Sequence, residues 1–451
     1  MSTQLEDMLD DGDLVTARQW LEAHTAVEVA EHLGWLSAEE QAVAFRLLPK
    51  NQALRVFEFM DTPHQVDLLE ALRSERVTEI FADLAVDDVA RILEEMPAKV
   101  ATRMLAGLEP SMRTAAAELL GYPEDSVGRR MVPIATVLSP KLTREEALHK
   151  LQVRGSAQDA SLAMVPVTDS ERTLLGMVSL GDLITAPDGT RIDEIFSPEQ
   201  HTATAYTDQE DAARLVQEAD LWVLPIVDDE FRLLGMLTVD DAMEILESEA
   251  TEDAYRSGGA EPLNEPYLYA TVFTLAKKRG VWLVVLILAA FLTINVMQYF
   301  EATLEAVVVL SVFVPMVIGT GGNAGSQAAS SVVRALAVNE VRPNDIFRVI
   351  WREVRVGLLL GAFLGLLLIP IISWLYYFQV AVTIAVTVVF ICAWACIVGG
   401  VLPLVAKKIG VDPAVFSTPV VSTLVDATGL IIYFTVAGLV MADQLEAALG
   451  V

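Results

Sequence analysis

The chain has 451 residues, is 53% hydrophobic with a mean hydropathy of +0.45, and carries a formal net charge of −30. Phosphate recognition needs a basic face, so this balance excludes nucleic acid as a partner. The two cysteines, Cys392 and Cys396, exclude a disulfide framework, and their i,i+4 spacing inside an apolar run reads as helix packing.

Residues 1–127 read as all helix. Apolar side chains recur every three or four positions through LVTARQWLEAH, AVEVAEHLGWL, ALRVFEFM, VDLLEALR and VARILEEM. Ser37 with Glu40 forms a capping-box signature, and Thr62-Pro63 reads as an N-cap followed by proline at N1. Short helices joined by short turns predict an all-α superhelical domain of stacked hairpins. The acidic start, MSTQLEDMLDDGD, has none of the features of a signal peptide.

Residues 128–241 contain an internal repeat. Pro166–Ile184 (PVTDSERTLLGMVSLGDLI) aligns without gaps on Pro225–Met243 (PIVDDEFRLLGMLTVDDAM) at an offset of 59, with eight of the 19 positions identical. Each copy reads helix, strand, turn, strand, helix, and so resembles a CBS domain. The two together predict an α+β tandem CBS pair packed as one unit. Residues 242–262 follow as an acidic connecting helix, AMEILESEATEDAYRSG, ending at Gly258-Gly259.

From 263 to 451 the composition changes. A span needs roughly 20 apolar residues, and five candidates occur: Val281–Phe300, Leu304–Gly319 and beyond, Val356–Tyr377, Val380–Val405 and Val415–Met441. Charge divides at the same place. Residues 1–265 hold 21 basic and 52 acidic side chains, whereas 266–451 hold 10 and 9. All ten basic residues of the membrane part lie on one side of the five spans, the two opposite loops carrying only Glu301 and Glu305. The positive-inside rule then places the N-terminus and the acidic domains in the cytoplasm and the C-terminus outside a cell (inner) membrane. An acidic surplus tethered there repels itself and attracts cations.

One acid is stranded at membrane depth: Asp426. An Asp at the bilayer centre costs about 2.5–3.5 kcal/mol, and such acids normally face a water-filled path or a partner. No Lys, Arg or His in the spans offers a counter-charge, whereas a dissolved cation would. Thr418, Ser422 and Asp426, at i, i+4, i+8, form one stripe. Pro419 cannot donate to the Val415 carbonyl, freeing another oxygen. An oxygen-only path suits hard divalent cations. A two-fold axis along this face would bring two Asp426 side chains to one ion. In Pro315–Ser330, PMVIGTGGNAGSQAAS, the glycines 319, 321, 322 and 325 allow a kink or a close helix approach, and Asn323 and Gln327 place amides near the cytoplasmic end. Gly357, Gly361 and Gly365 read as a packing face. An intramembrane metalloprotease would need H-E-x-x-H; none exists, and all five histidines lie before residue 202, so no enzyme is expected.

PMVIGTGGNAGSQ and GVDPAVFSTPVVSTLVDATGLIIYF closely resemble signatures of the MgtE magnesium channels, and the order of domains agrees over the whole chain. The resemblance implies a homodimeric Mg2+-selective channel that admits Mg2+ to the cytoplasm down its electrochemical gradient. The alternative reading is a secondary transporter for another divalent cation (Mn2+, Co2+ or Ca2+). Asp426 matches the family's pore carboxylate, with Ser422, Thr418 and Asn323 beside it, and Asp412 matches an acid near the cytoplasmic mouth. It further implies a Mg2+ sensor closing the pore, with Asp87, Asp220, Asp241, Glu244, Glu249, Glu252 and Asp253 as regulatory ligands. Arg91 stands where the family often has a second acid, and Thr418 and Ser422 where it often has Asn and Ala. CBS pairs often bind adenine nucleotides through S/T-x-x-D. Ser179-Asp182 fits and is the expected contact for ATP, since Asp241 of the second such element is assigned to metal.

Overall fold

The computed structural model describes residues 4–10, 12–72, 80–81, 84–96, 98–133, 136–154, 163–198, 201–263, 267, 270–416 and 418–442. The chain divides into two compact units, Met1–Glu249 and Ala250–Val451.

Among the described residues the first unit begins with nine helices: α1 (Gln4–Asp10), α2 (Leu14–Ala23), α3 (Ala26–Leu33), α4 (Ala38–Leu47), α5 (Lys50–Glu58), α6 (Thr62–Ala71), α7 (Val86–Glu95), α8 (Ala98–Gly107) and α9 (Pro110–Leu119). Each buries one stripe in a shared core that includes Leu21, Leu33, Phe45, Phe57, Leu68, Phe81 and Ile92. The capping box at α4 forms as expected. Ser37 Oγ accepts from the Glu40 amide, and the Glu40 carboxylate accepts from the Ser37 amide at 2.8 Å. At α6 the expectation is corrected. Asp61 is the N-cap, accepting from the His64 amide at 3.2 Å, and Thr62 is already the first helical residue. A carboxylate caps well, and a proline in the first turn gives up only an amide that has no intrahelical partner.

The repeat appears as two matching hairpins. In β2 (Met164–Thr168) and β3 (Leu174–Ser179), Pro166 pairs with Met177; in β5 (Val223–Val227) and β6 (Leu233–Thr238), Pro225 pairs with Met236, 59 residues on. The turns match too. Arg172 and Phe231 both have positive φ, and Asp169 and Asp228 each accept two turn amides at 2.8–3.0 Å. The second hairpin belongs to a four-stranded sheet ordered β1-β6-β5-β4, with β1 (Val132–Pro133) antiparallel to β6 and β4 (Ala203–Thr204) parallel to β5. The helices of this pair are α10 (Val127–Arg130), α11 (Arg144–Arg154), α12 (Leu180–Thr185), α13 (Gln209–Glu218) and α14 (Val239–Ser257). Gly176 and Gly235 are identical for a steric reason: a Cβ would stand 2.2 Å from the Ser197 carbonyl oxygen or 2.6 Å from Met131 Sδ.

Among the described residues the second unit holds five helices long and apolar enough to cross a membrane. They are α15 (Val272–Tyr299), then, after the short α16 (Glu301–Ala306), α17 (Val309–Ala337), α18 (Ile346–Leu375), α19 (Phe378–Lys408) and α20 (Thr418–Val440). α17 runs unbroken through Pro315 and the glycines. Gly357, Gly361 and Gly365 pack as their spacing suggests: Cβ atoms there would stand 2.5 Å from Cys392 O, 2.5 Å from Val389 Cα and 3.0 Å from Ala385 O, all on α19. Cys392 and Cys396 are buried and unpaired. The inference drawn from Pro419 changes. α20 starts at Thr418 and Val415 lies in a separate short turn, Pro413–Phe416, so Pro419 opens a helix instead of interrupting one.

Candidate ion-binding sites

In the second unit, Ser422 and Asp426 sit one turn apart on α20, with Asp426 roughly 12 Å along it at about 1.5 Å per residue. Asp426 Oδ1 is buried and has no hydrogen-bond partner among the described residues. Glycines make the seam beside it. A Cβ on Gly322 would lie 2.4 Å from Ser422 Oγ and 3.6 Å from Asp426 Oδ1. On Gly321 it would lie 2.7 Å from Ile391 Cγ2 and 2.9 Å from Val425 Cγ1, and on Gly325 2.9 Å from Val421 Cγ1. These three glycines bring α17 against α19 and α20, whereas Gly319 has nothing within 4 Å. Asn323 and Gln327 are exposed on the single chain. The side chain of Thr418 lies outside the described residues.

Asp412 has a counter-charge that its sequence position does not reveal. Its Oδ1 accepts from the Ala414 amide at 2.8 Å and its Oδ2 pairs with Arg256, which also pairs with Glu252. Two expected ion ligands therefore share one guanidinium at the end of α14. Beside it, α14 terminates as expected: Gly259 takes φ +70° and the Ala260 amide donates to Tyr255 O at 3.0 Å. A Cβ on Gly259 would stand 2.8 Å from Pro419 Cγ, so this turn packs directly on the start of α20.

In the first unit, a pocket of about 190 Å³ is lined by Asp87, Asp88 and Arg91 of α7, by Asp241 and Glu244 of α14, and by Arg130 and Gln209, among others. Asp87 is 9% exposed, and its Oδ1 has no hydrogen-bond partner among the described residues. Burial, then the charges of Asp241 and Asp88, hold its carboxyl well above the usual range. Asp241 is pushed up to about 7, first by burial and then, against the Thr238 hydrogen bond, by Asp240, Asp88 and Glu244. Arg91 joins the two helices, donating to Glu244 at 2.8 Å and to Asp88 at 2.6 Å. Among the described residues no three carboxylates, imidazoles or thiols converge as a ready-made metal cage.

The other expected regulatory residues lie elsewhere. Asp220, at φ +51°, lines a separate groove of about 510 Å³ with Trp222 and Met243. Glu249 accepts from Gln209 Nε2 at 2.6 Å. Asp253 is half-buried on α14. At the expected nucleotide contact, Ser179 caps α12: its Oγ accepts from the Asp182 amide at 2.9 Å and donates to Asp182 Oδ2 at 2.6 Å. The Asp182 side chain is exposed.

A bundle with five candidate spans among the described residues and a carboxylate with a buried oxygen on α20, in one chain with a CBS pair and a helical domain, defines a multi-pass membrane transporter of divalent cations. The patterns described as divalent cation transporter, MgtE intracellular N domain and CBS domain match residues 314–436, 24–125, and 127–189 with 192–248. The chain is 38% identical to the magnesium transporter MgtE of Thermus thermophilus over 446 residues, 98% of each. To that of Bacillus subtilis it is 30% identical over 421 residues, 89% of this chain and 91% of the relative. The cytosolic domain of the Mg2+ channel MgtE in complex with ATP superposes with a TM-score of 0.50 at 32% identity, covering 55% of this chain and all of that one. The chain belongs to the MgtE family of magnesium transporters.

Proposed function

We propose that the protein is a homodimeric, Mg2+-selective channel that admits Mg2+ to the cytoplasm down its electrochemical gradient, past Asp426. The observation that carries this reading is Asp426 itself, a carboxylate at membrane depth with a buried oxygen that no described group satisfies. A hydrated divalent ion supplies the missing charge, and Mg2+, which keeps several waters, is commonly held by one or two carboxylates. Ser422, Thr418 and Asn323 belong to the same path, with Asp412 at its cytoplasmic mouth. The one-sided Lys and Arg residues support a cytoplasmic N-terminus and an external C-terminus.

Cytoplasmic Mg2+ closes the channel by binding acidic interfaces. Asp87 Oδ1, without a partner among the described residues and next to Asp241 and Glu244, fits a cation. An ion there would neutralise acids that otherwise repel, favouring the compact arrangement as a population shift. Glu249, Glu252 and Asp253 extend this sensor along α14, and Asp220, two residues beyond α13, adds a further acid in its own groove. Arg91 supplies a fixed positive charge between the same helices, so part of the neutralisation is built into the chain. ATP, present in the related cytosolic structure, binds here at the CBS pair through Ser179 and Asp182.

The test is patch recording with Mg2+ titrated on the cytoplasmic face of reconstituted protein. Inward Mg2+ current that falls as cytoplasmic Mg2+ rises through the millimolar range is expected. Flux that stays coupled to a second ion, or that favours Mn2+, Co2+ or Ca2+, would replace the channel with a secondary transporter.

A further inference from the structure

We infer that Ser422, seated in the hollow of Gly322, is the positioning residue that fixes the Asp426 carboxylate against α17 and so sets how the path holds a divalent ion. The inference rests on Asp426 being the carboxylate of the path.

The hollow is steric. A Cβ on Gly322 would stand 2.4 Å from Ser422 Oγ, whereas ordinary contact begins near 3.4 Å. The serine hydroxyl therefore fills the space that any other residue at 322 would occupy. Ser422 and Asp426 share one face of α20, a single turn apart. Val421 and Val425, each one residue earlier, enter the flanking hollows at Gly325 and Gly321. Two adjacent rows of α20 are thus keyed into α17, which fixes both the rotation and the height of the helix.

Asp426 has no equivalent key of its own. Its Oδ1 makes no hydrogen bond among the described residues, so its place follows from how α20 is seated. Metal ligands must be placed within about 0.2 Å of their ideal distances. A methyl added at 322 would lie 2.4 Å from Ser422 Oγ, so either the hydroxyl rotates out of the hollow and the seat is lost, or α20 shifts by roughly 1 Å to reach 3.4 Å and carries Asp426 with it.

The experiment uses the full-length protein in proteoliposomes, with Mg2+ influx read by an internal indicator over a range of external Mg2+. Gly322→Ala is expected to raise the half-saturating concentration at least threefold and to lower influx at low Mg2+ at least tenfold. Gly322→Ala/Ser422→Ala removes the clashing hydroxyl and leaves Cβ atoms 3.6 Å apart, so it should recover at least half the influx of Ser422→Ala. A seam that only stabilises the bundle would lower the yield of folded protein without moving half-saturation. If Gly322→Ala does not fold, Ser422→Val crowds the hollow from the other side, and the same rise in half-saturation is expected. Unchanged half-saturation, or a double variant no better than Gly322→Ala, overturns the inference. Asp426→Asn is measured alongside. Normal influx there removes the path reading itself, while an inactive Asp426→Asn beside a normal Gly322→Ala removes only the seat.

Discussion

Asp426 and Asp87 each keep one buried oxygen without a hydrogen-bond partner among the described residues, yet their surroundings are opposite. Asp426 lies in a glycine seam beside one serine. Asp87 lies among Asp88, Asp241 and Glu244, with Arg91 bridging two of them. On the proposed function, the difference is the one expected between passing an ion and keeping one. A conducting site must bind well enough to admit the ion and weakly enough to release it. Affinity grows with the charge of the ligand set, so one carboxylate suits transit and a crowd suits sensing. Asp412, already paired with Arg256, is a third case.

The comparison breaks most visibly at Asp426. Asp426→Asn keeps the shape and removes the charge, and Mg2+ influx should fall by about 100-fold or more, since neutralising it removes a desolvated charge–charge attraction worth several kcal/mol. Folding should survive, because an uncompensated acid is costly in the bundle. Influx in proteoliposomes beside a melting curve separates the two; normal influx would return Asp426 to a structural role.

The next effect belongs to the crowded acids. Asp241 titrates near 7 and Asp87 is raised in the same direction, both mainly by burial. A carboxylate whose folded pKa is raised stabilises the closed pocket below its ordinary value, near pH 4, and loses that contribution as pH rises to the folded value. In divalent-free buffer, α7 should therefore open more readily between pH 4 and 7 and level off above. Each acid that releases its proton on opening should raise the opening constant by up to about tenfold per pH step of one within that window. Hydrogen exchange at α7, corrected for its intrinsic pH dependence, measures this. Millimolar Mg2+ should flatten the slope, as should Asp87→Asn/Asp241→Asn. A slope that survives both would remove these acids from the sensor.

Much of this is readable from local pattern. The five spans, the capping box at Ser37, the 59-residue repeat, the Gly258-Gly259 end of α14 and the isolation of Asp426 all depend on neighbours within a few residues or on exact repetition. What escapes depends on distant partners. Arg91 meets Glu244 across 153 residues, and Arg256 meets Asp412 across 156. No periodicity or spacing encodes such pairs, so in sequence Arg91 reads as a lost acid and Arg256 carries no mark at all. Local competition explains the smaller corrections: Asp61 outcompetes Thr62 as a cap, and Pro419 starts a helix where a continuous one is expected.

Arg91 sharpens the comparison because it is a cation the protein carries itself. The Arg91 side chain is 28% exposed but its Glu244 partner is 63% exposed, so the bridge to α14 is worth no more than a surface pair, about 0–1 kcal/mol. Arg91→Ala leaves Asp88 and Glu244 facing each other. The Mg2+ concentration needed to protect α14 from protease should rise about fivefold, equivalent to roughly 1 kcal/mol. Arg91→Lys keeps the charge but cannot span two carboxylates with one planar fork, and should fall between. Unchanged protection would make the bridge incidental to sensing.

The smallest effect is expected at the acid that already has its partner. Arg256 and Asp412 are 32% and 27% exposed and join the end of α14 to the segment before α20. A pair this open contributes little stability, about 0–1 kcal/mol. Its value is where it sits, one turn from the contact of Gly259 on Pro419. Asp412→Asn should move half-maximal inhibition by cytoplasmic Mg2+ about two- to threefold and leave maximal current near normal, because the charge it loses is already neutralised by Arg256. If instead Asp412 draws ions to the mouth, single-channel current should fall and inhibition should stay put. The exchange Arg256→Asp/Asp412→Arg separates these outcomes. It restores inhibition if the pair couples α14 to α20, and it lowers current further if a negative charge at 412 is what the ion meets.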